Sequence, residues 1–246
     1  MRRTRASPAT PQWARRRRGV VRDAVGVGVA TGAYGLSFGA IGAAAGLTVA
    51  QTCATSVLIF TGASQFALVG VLAAGGTPAA AALTATLLGT RNALYGLRLS
   101  SLLQLRGTSR LVGAQLVIDE STAMALAHED DPLARRLAFW STGLAVFVLW
   151  NLATLGGALA GTALGDPETF GLDAAVPAAF LALLWPRLTD RRARVVALGA
   201  AGVALLLTPV APAGVPVMAA ALVAVGAGMV WRDALTGSAT DERGPP

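Results

Sequence analysis

The chain alternates long apolar runs with short polar turns. From Ala24 to Thr90 it carries no Asp, Glu, Lys, Arg or His, and about 20 apolar residues suffice to cross a bilayer as a helix. Turn signals divide the apolar chain at Gly75-Gly76-Thr77-Pro78, Asp130-Asp131-Pro132, Gly165-Asp166-Pro167 and Pro209 to Pro216. The pattern predicts helical spans over 24–46, 49–74, 78–102, 111–127, 137–163, 172–185, 193–208 and 215–231. The fourth and sixth are short for a crossing, so each is a candidate for a re-entrant or broken segment. Seven spans with one re-entrant segment fit the pattern too.

Composition strengthens this reading. Of 246 residues, 54% are hydrophobic and only 13% charged, against about 25% charged in soluble domains, and the mean hydropathy is +0.60. The expected fold is all-α, a polytopic transmembrane helix bundle of seven to eight spans with one or two interrupted helices. A basic tail (1–22) and a C-terminal tail (233–246), both without expected structure, flank a single membrane domain (23–232).

The formal net charge of +7 is that of 20 arginines, without a single lysine, against 13 acidic residues. Arg2, Arg3, Arg5, Arg15 to Arg18 and Arg22 crowd the region before the first span, the usual basic cytoplasmic flank. That placement argues for a membrane orientation and against nucleic acid as a partner. With the N-terminus cytoplasmic in the cell membrane, Arg135, Arg136, Arg187, Arg191, Arg192 and Arg194 fall inside, while the loop with Asp166 and Glu168 falls outside. Arg106 and Arg110, after the third span, come out on the external side as the exception. The lone Cys53 and His128 offer no metal cluster, and no P-loop, HExxH or CxxC is present. The chain reads as a non-enzyme without a cofactor.

An internal likeness links Gly39–Gly46 with Gly157–Gly165, each followed by an interruption, at 61–65 and at Pro177. Interrupted helices at matching places in two halves point to a transport site; small residues at fourfold spacing also suit close helix packing.

Polar residues at membrane depth cost about 2.5–3.5 kcal/mol each for ionisable groups, and persist when paired or lining a cavity. Arg91, Tyr95 and Arg98 share one helix face beside Asn92. Arg98 lies near the end of its span, where it can snorkel. Arg91 lies deeper and suits either an ion pair or a substrate carboxylate. Asp119 and Glu120 lie about 100° apart on a helix, so at least one faces the bundle interior, to neutralise Arg91, hold an amine or carry a proton. Both could also sit near the aqueous end of a short span. In Thr61-Gly62-Ala63-Ser64-Gln65-Phe66 a helix can open and free backbone groups for a ligand. Asp173, just before Pro177, is a further candidate, or the cap of the sixth span.

At these stretches the sequence resembles the AzlC family, the large subunits of branched-chain amino acid exporters. The likeness rests on YGLSFGAIGAAAGL (34–47), FTGASQFALVGVLAAG (60–75), TRNALYGLRLSSLL (90–103), IDESTAMAL (118–126) and FGLDAAVPAAFLALLWPRLTDRR (170–192). It implies a multi-pass permease component for leucine, isoleucine, valine or methionine, with a small hydrophobic AzlD-like membrane subunit as partner. The family more often shows an asparagine near Gly89 and a histidine at Asn92, so a possible proton carrier is missing here. The residues together suggest a secondary exporter driven by the proton gradient. The alternatives are a passive channel or carrier for another small solute such as an organic anion, and a non-transporting scaffold subunit.

Overall fold

A computed structural model of the chain describes residues 11–163, 181, 184–185, 188–212 and 215–241. Every regular element of length among them is an α-helix: α1 (Pro11–Ala44), α2 (Val49–Ile59), α3 (Gly62–Ala73), α4 (Pro78–Leu103), α5 (Thr108–Gln115), α6 (Asp119–Leu126), α7 (Pro132–Ala163), α8 (Arg191–Leu207) and α9 (Val215–Asp241). Local chemistry sets the ends. Thr48 and Thr77 cap α2 and α4 through their hydroxyls, Pro78 opens α4, and Asp190 caps α8. α1 and α7 are long and apolar enough to cross a membrane.

α1 and α7 form the frame, and glycine lets their backbones touch. A Cβ on Gly28 would lie 2.9 Å from Ala145 Cβ, one on Gly39 2.1 Å from the Thr154 carbonyl oxygen, and one on Gly157 2.0 Å from that of Leu36. The contacting numbers rise together along both helices, so α1 and α7 run parallel. Their starts are tied by Arg16 and Asp131, 3.0 Å apart. Gly39 and Gly157 thus belong to surfaces packed on each other, which accounts for the likeness of their segments as close packing.

The interrupted second run does not cross. α2 starts beside the end of α1, where Thr52 meets Gly42. Ser56 Oγ then donates to Thr154 Oγ1 at 3.3 Å, level with Gly39. The helix stops at Phe60 and Thr61, and Phe66 of α3 is back at that level, edge-on to Phe38 with centroids 5.6 Å apart. α2 and α3 are the two arms of a hairpin that enters from the far side and leaves by it. α4 then runs from the far side to the near one. Its last turn is fixed at the start of α7, with the Arg136 guanidinium donating to the Leu103 carbonyl at 2.6 Å.

The fourth run folds back in the same manner from the near side. α5 leaves the end of α4, and its tip at Leu116 presses on Gly143, in the first half of α7. α6 returns along α7 to the turn before Pro132. Of the spans expected over 11–163, α1, α4 and α7 therefore run through the bundle, and 49–74 and 111–127 are opposed hairpins. An apolar run of crossing length has the same pattern whether it spans or folds back at its middle. The backbone repeats a different unit from the one expected: a long helix followed by a hairpin, α1–α2–α3 and then, inverted, α4–α5–α6.

This topology corrects the orientation. Because α4 ends on the near side, Arg106 and Arg110 lie on the same side as Arg15 to Arg18, Arg135 and Arg136, and the exception disappears. A second difference is at the termini. The described part of the basic tail, from Pro11 on, is helical, with Arg16 beside Asp131, and α9 continues to Asp241.

Candidate functional site

Two hairpin tips and the middle of α4 meet inside the bundle. The tips are fastened together, since Gln115 Nε2 at the end of α5 donates to the Val57 carbonyl near the end of α2 at 2.7 Å. Two helices begin here. α3 starts after Thr61, which is extended (φ −151°) and gives no side-chain cap, so the first backbone N–H groups of α3 lack that acceptor. α6 starts with Asp119 and Glu120 in its first turn, where the helix dipole favours carboxylates. Ser121 holds that start, its Oγ accepting from the Ile118 N–H at 3.1 Å and donating to the Leu116 carbonyl at 2.6 Å.

Arg91 answers Asp119: Nη2 and Oδ2 are 3.1 Å apart, and the two side chains are 31% and 26% exposed. Arg91 Nε is buried and donates no hydrogen bond, so the guanidinium keeps a donor beyond the ion pair. Both groups border a cavity of about 310 Å³, together with Thr61, Gly62, Ala63, Phe66 and Glu120. Its apolar walls come from Ile118, Val146 and Trp150, with Thr31 and Tyr34 contributed by α1.

Seven of the expected residues thus surround one space: Thr61, Gly62, Ala63, Phe66, Arg91, Asp119 and Glu120. Others lie elsewhere. Gln65 is wholly buried behind the wall; its Nε2 donates to the Ser56 carbonyl at 3.1 Å and its Oε1 accepts from Trp150 Nε1 at 3.0 Å. It pins the two arms of the first hairpin to each other and to α7. Ser64 is buried beside Gly89, its Oγ about 3.4 Å from where a Cβ there would sit. Asn92 turns away into a second cavity. Tyr95 packs against the hydrophobic core, and Arg98 reaches Glu129 at 2.5 Å near the end of α4. Asp173 and Pro177 lie outside the described residues.

Sequence reasoning missed Thr31, Tyr34, Phe60, Leu88, Ile118, Val146, Trp150 and Leu184. Only Tyr34, a phenol in an apolar run, carried a signal that could have found it. Among the described residues no group of three or more His, Cys, Asp or Glu could hold a metal ion.

A helical membrane bundle with an ion pair bordering a solute-sized cavity, where two broken segments meet, has the build of a transport protein. The chain belongs to the AzlC family: the family profile described as AzlC protein matches residues 26–164, from α1 through both hairpins to the end of α7. No curated protein matches the chain, and no solved structure does.

Proposed function

We propose that the protein is the large subunit of a secondary exporter of branched-chain or similar neutral amino acids, with leucine, isoleucine, valine or methionine as substrates. The observation that carries this is the Arg91–Asp119 pair on the wall of an otherwise largely apolar cavity, 3.1 Å apart. A zwitterion needs a donor for its carboxylate, an acceptor for its ammonium and apolar space for its side chain. Arg91 and the N–H groups of Gly62 and Ala63 serve the carboxylate, and Asp119 and Glu120 serve the ammonium. Phe66, Val146, Ile118 and Trp150 receive the side chain, in a volume at the lower end of the range for ligand pockets, about 300–1,000 Å³.

The ion pair also supplies a coupling device. Arg91 and Asp119 hold each other until something neutralises the carboxylate, either a proton or the substrate ammonium. Arg91 is then free for the substrate carboxylate, since an unpaired charge at that depth is costly. Proton-driven export follows if a proton replaces the Arg91 contact on the carboxylate during the return of the empty site and is released before the next substrate binds. The solute undergoes no chemistry, so neither catalytic group nor cofactor is needed.

In this proposal the bundle sits in a bacterial cell membrane with its N-terminus cytoplasmic, supported by the arginines at the start of α1, the end of α4 and the start of α7 sharing one side. A small AzlD-like membrane subunit completes the exporter. Efflux of labelled amino acid from cells producing both subunits tests the proposal. Faster loss of leucine, isoleucine, valine or methionine than from empty cells, slowed by a protonophore, is the expected result. Equal efflux for all four would remove the proposal, and protonophore-insensitive flux would turn it into a passive channel.

A further inference from the structure

A second cavity of about 460 Å³ adjoins the first, and none of the described residues on its wall is ionisable. It follows α4 from Asn92 back to Ala82, towards the far side of the bundle where α4 begins. Its polar groups offer acceptors. Thr86 Oγ1 and Thr90 Oγ1 spend their protons on the carbonyls of Ala82 and Leu87 at 2.8 and 2.7 Å, leaving lone pairs. Asn92 Oδ1 is buried and accepts no hydrogen bond. Gln115 Nε2 is spent on Val57, which leaves its Oε1 as acceptor.

Phe60 and Thr61 border both cavities. They form the non-helical tip of the first hairpin, and both are buried. The Phe60 ring stands edge-on to Phe147 with centroids 4.9 Å apart. α4 stands between the two spaces along part of their length, with Leu88 and Arg91 on one and Ala85, Gly89 and Asn92 on the other; at the hairpin tip the wall is instead an aromatic side chain at the end of a helix arm.

We infer that the second cavity is the far-side release station of a single solute path, and that Phe60 is the partition between it and the Arg91–Asp119 site. This rests on the transport reading above for the identity of the solute. The station takes the ammonium of a zwitterion on acceptor oxygens and offers no cation to its carboxylate. It therefore holds the solute more weakly than the first site does, as release requires.

Two measurements test this. In the first, bulk is placed in the second cavity at exposed positions of α4, by Thr86→Trp and separately by Ala82→Trp. Where the wild type moves leucine, both variants are expected to lose at least about tenfold in flux, while leucine still raises the unfolding temperature of the purified variants as it does for the wild type. Flux within about twofold of wild type in both would overturn the inference. The second measurement does not depend on the solute. In a Cys53→Ala background, Leu88→Cys places a thiol on the wall of the first cavity, and its rate of modification by a bulky impermeant reagent is followed. Adding Phe60→Ala is expected to raise that rate about fivefold or more by joining the cavities, and adding Thr86→Trp as well is expected to restore it. A rate unchanged by Phe60→Ala would overturn the partition. If the wild type moves none of the four amino acids, the transport reading falls and this second measurement alone decides the inference.

Discussion

The first hairpin, α2–α3, brings no ionisable side chain to the centre of the bundle, whereas the second, α5–α6, brings Asp119 and Glu120 in the first turn of its inner helix. The first offers backbone donors after an uncapped Thr61; the second offers carboxylates. Their fastenings differ as well. The first is pinned from within by Gln65 to Ser56 and Trp150, and the second meets α4 across the Arg91–Asp119 pair. One tip is held by neutral hydrogen bonds that no solute or proton would disturb. The other is held by an interaction that either one could replace. In a low-dielectric site this asymmetry suits a zwitterion, since each end of the solute meets the opposite kind of group.

The strongest way to break this comparison is to remove the charges. Arg91→Ala leaves Asp119 without its cation, at a cost of about 3–5 kcal/mol for a truly buried pair and less at this partial exposure. It is expected to abolish leucine efflux and lower the yield of folded protein. The double variant Arg91→Ala/Asp119→Ala removes both charges, so folded yield and unfolding temperature should recover towards wild type while efflux stays absent. Recovery of efflux in the double variant would reduce the pair to a structural contact.

A prediction of next size concerns the neutral fastening. Gln65→Leu leaves Trp150 Nε1 and the Ser56 carbonyl without their partners in the core, which costs about 1–3 kcal/mol per unsatisfied group. The unfolding temperature in detergent should fall by several degrees at any substrate concentration, and leucine should still stabilise what remains folded. Loss of leucine binding with unchanged stability would instead place Gln65 on the solute.

These two residues show why some of the site was legible in the chain and some was not. Arg91, Asp119 and Glu120 stand out because an ionised group in an apolar run has to be explained. The break at Thr61 and Gly62 shows in small residues within a helical stretch. Gln65 read as a ligand because a buried amide looks the same in sequence whether it binds a solute or two neighbouring elements. Val146 and Trp150 carried no signal at all, being apolar residues in an apolar chain. The all-helical class followed from run length and composition. The folding back of 111–127 showed in a run short for a crossing, a candidate re-entrant segment; that of 49–74 did not, since it depends on which neighbours Phe66 finds. The misfit of Arg106 and Arg110 with the expected orientation was a further trace in the sequence.

A matched pair of glycines sharpens the comparison most finely. Each hairpin touches a frame helix where that helix has no side chain. A Cβ on Gly42 of α1 would lie 2.7 Å from Thr52 Cγ2 in the outer arm of the first hairpin, and one on Gly143 of α7 would lie 2.9 Å from Leu116 Cβ at the tip of the second. The added methyl groups are alike and the forced separations similar, so Gly42→Ala and Gly143→Ala should destabilise by comparable amounts, about 1–3 kcal/mol as overpacking does. Their effects on transport should differ. Thr52 lies near the far end of its arm, so a shift of a few tenths of an ångström there is absorbed before it reaches Thr61. Leu116 lies three residues before Asp119 and is joined to it through the Ser121 bonds, so the same shift moves the carboxylate against Arg91. Side-by-side efflux assays at equal folded protein should show Gly143→Ala slower than Gly42→Ala by about tenfold, the scale on which small displacements of reacting or binding groups are felt. Equal rates would mean that the charged tip is no more sensitive to position than the neutral arm, and the functional distinction between the hairpins would be lost.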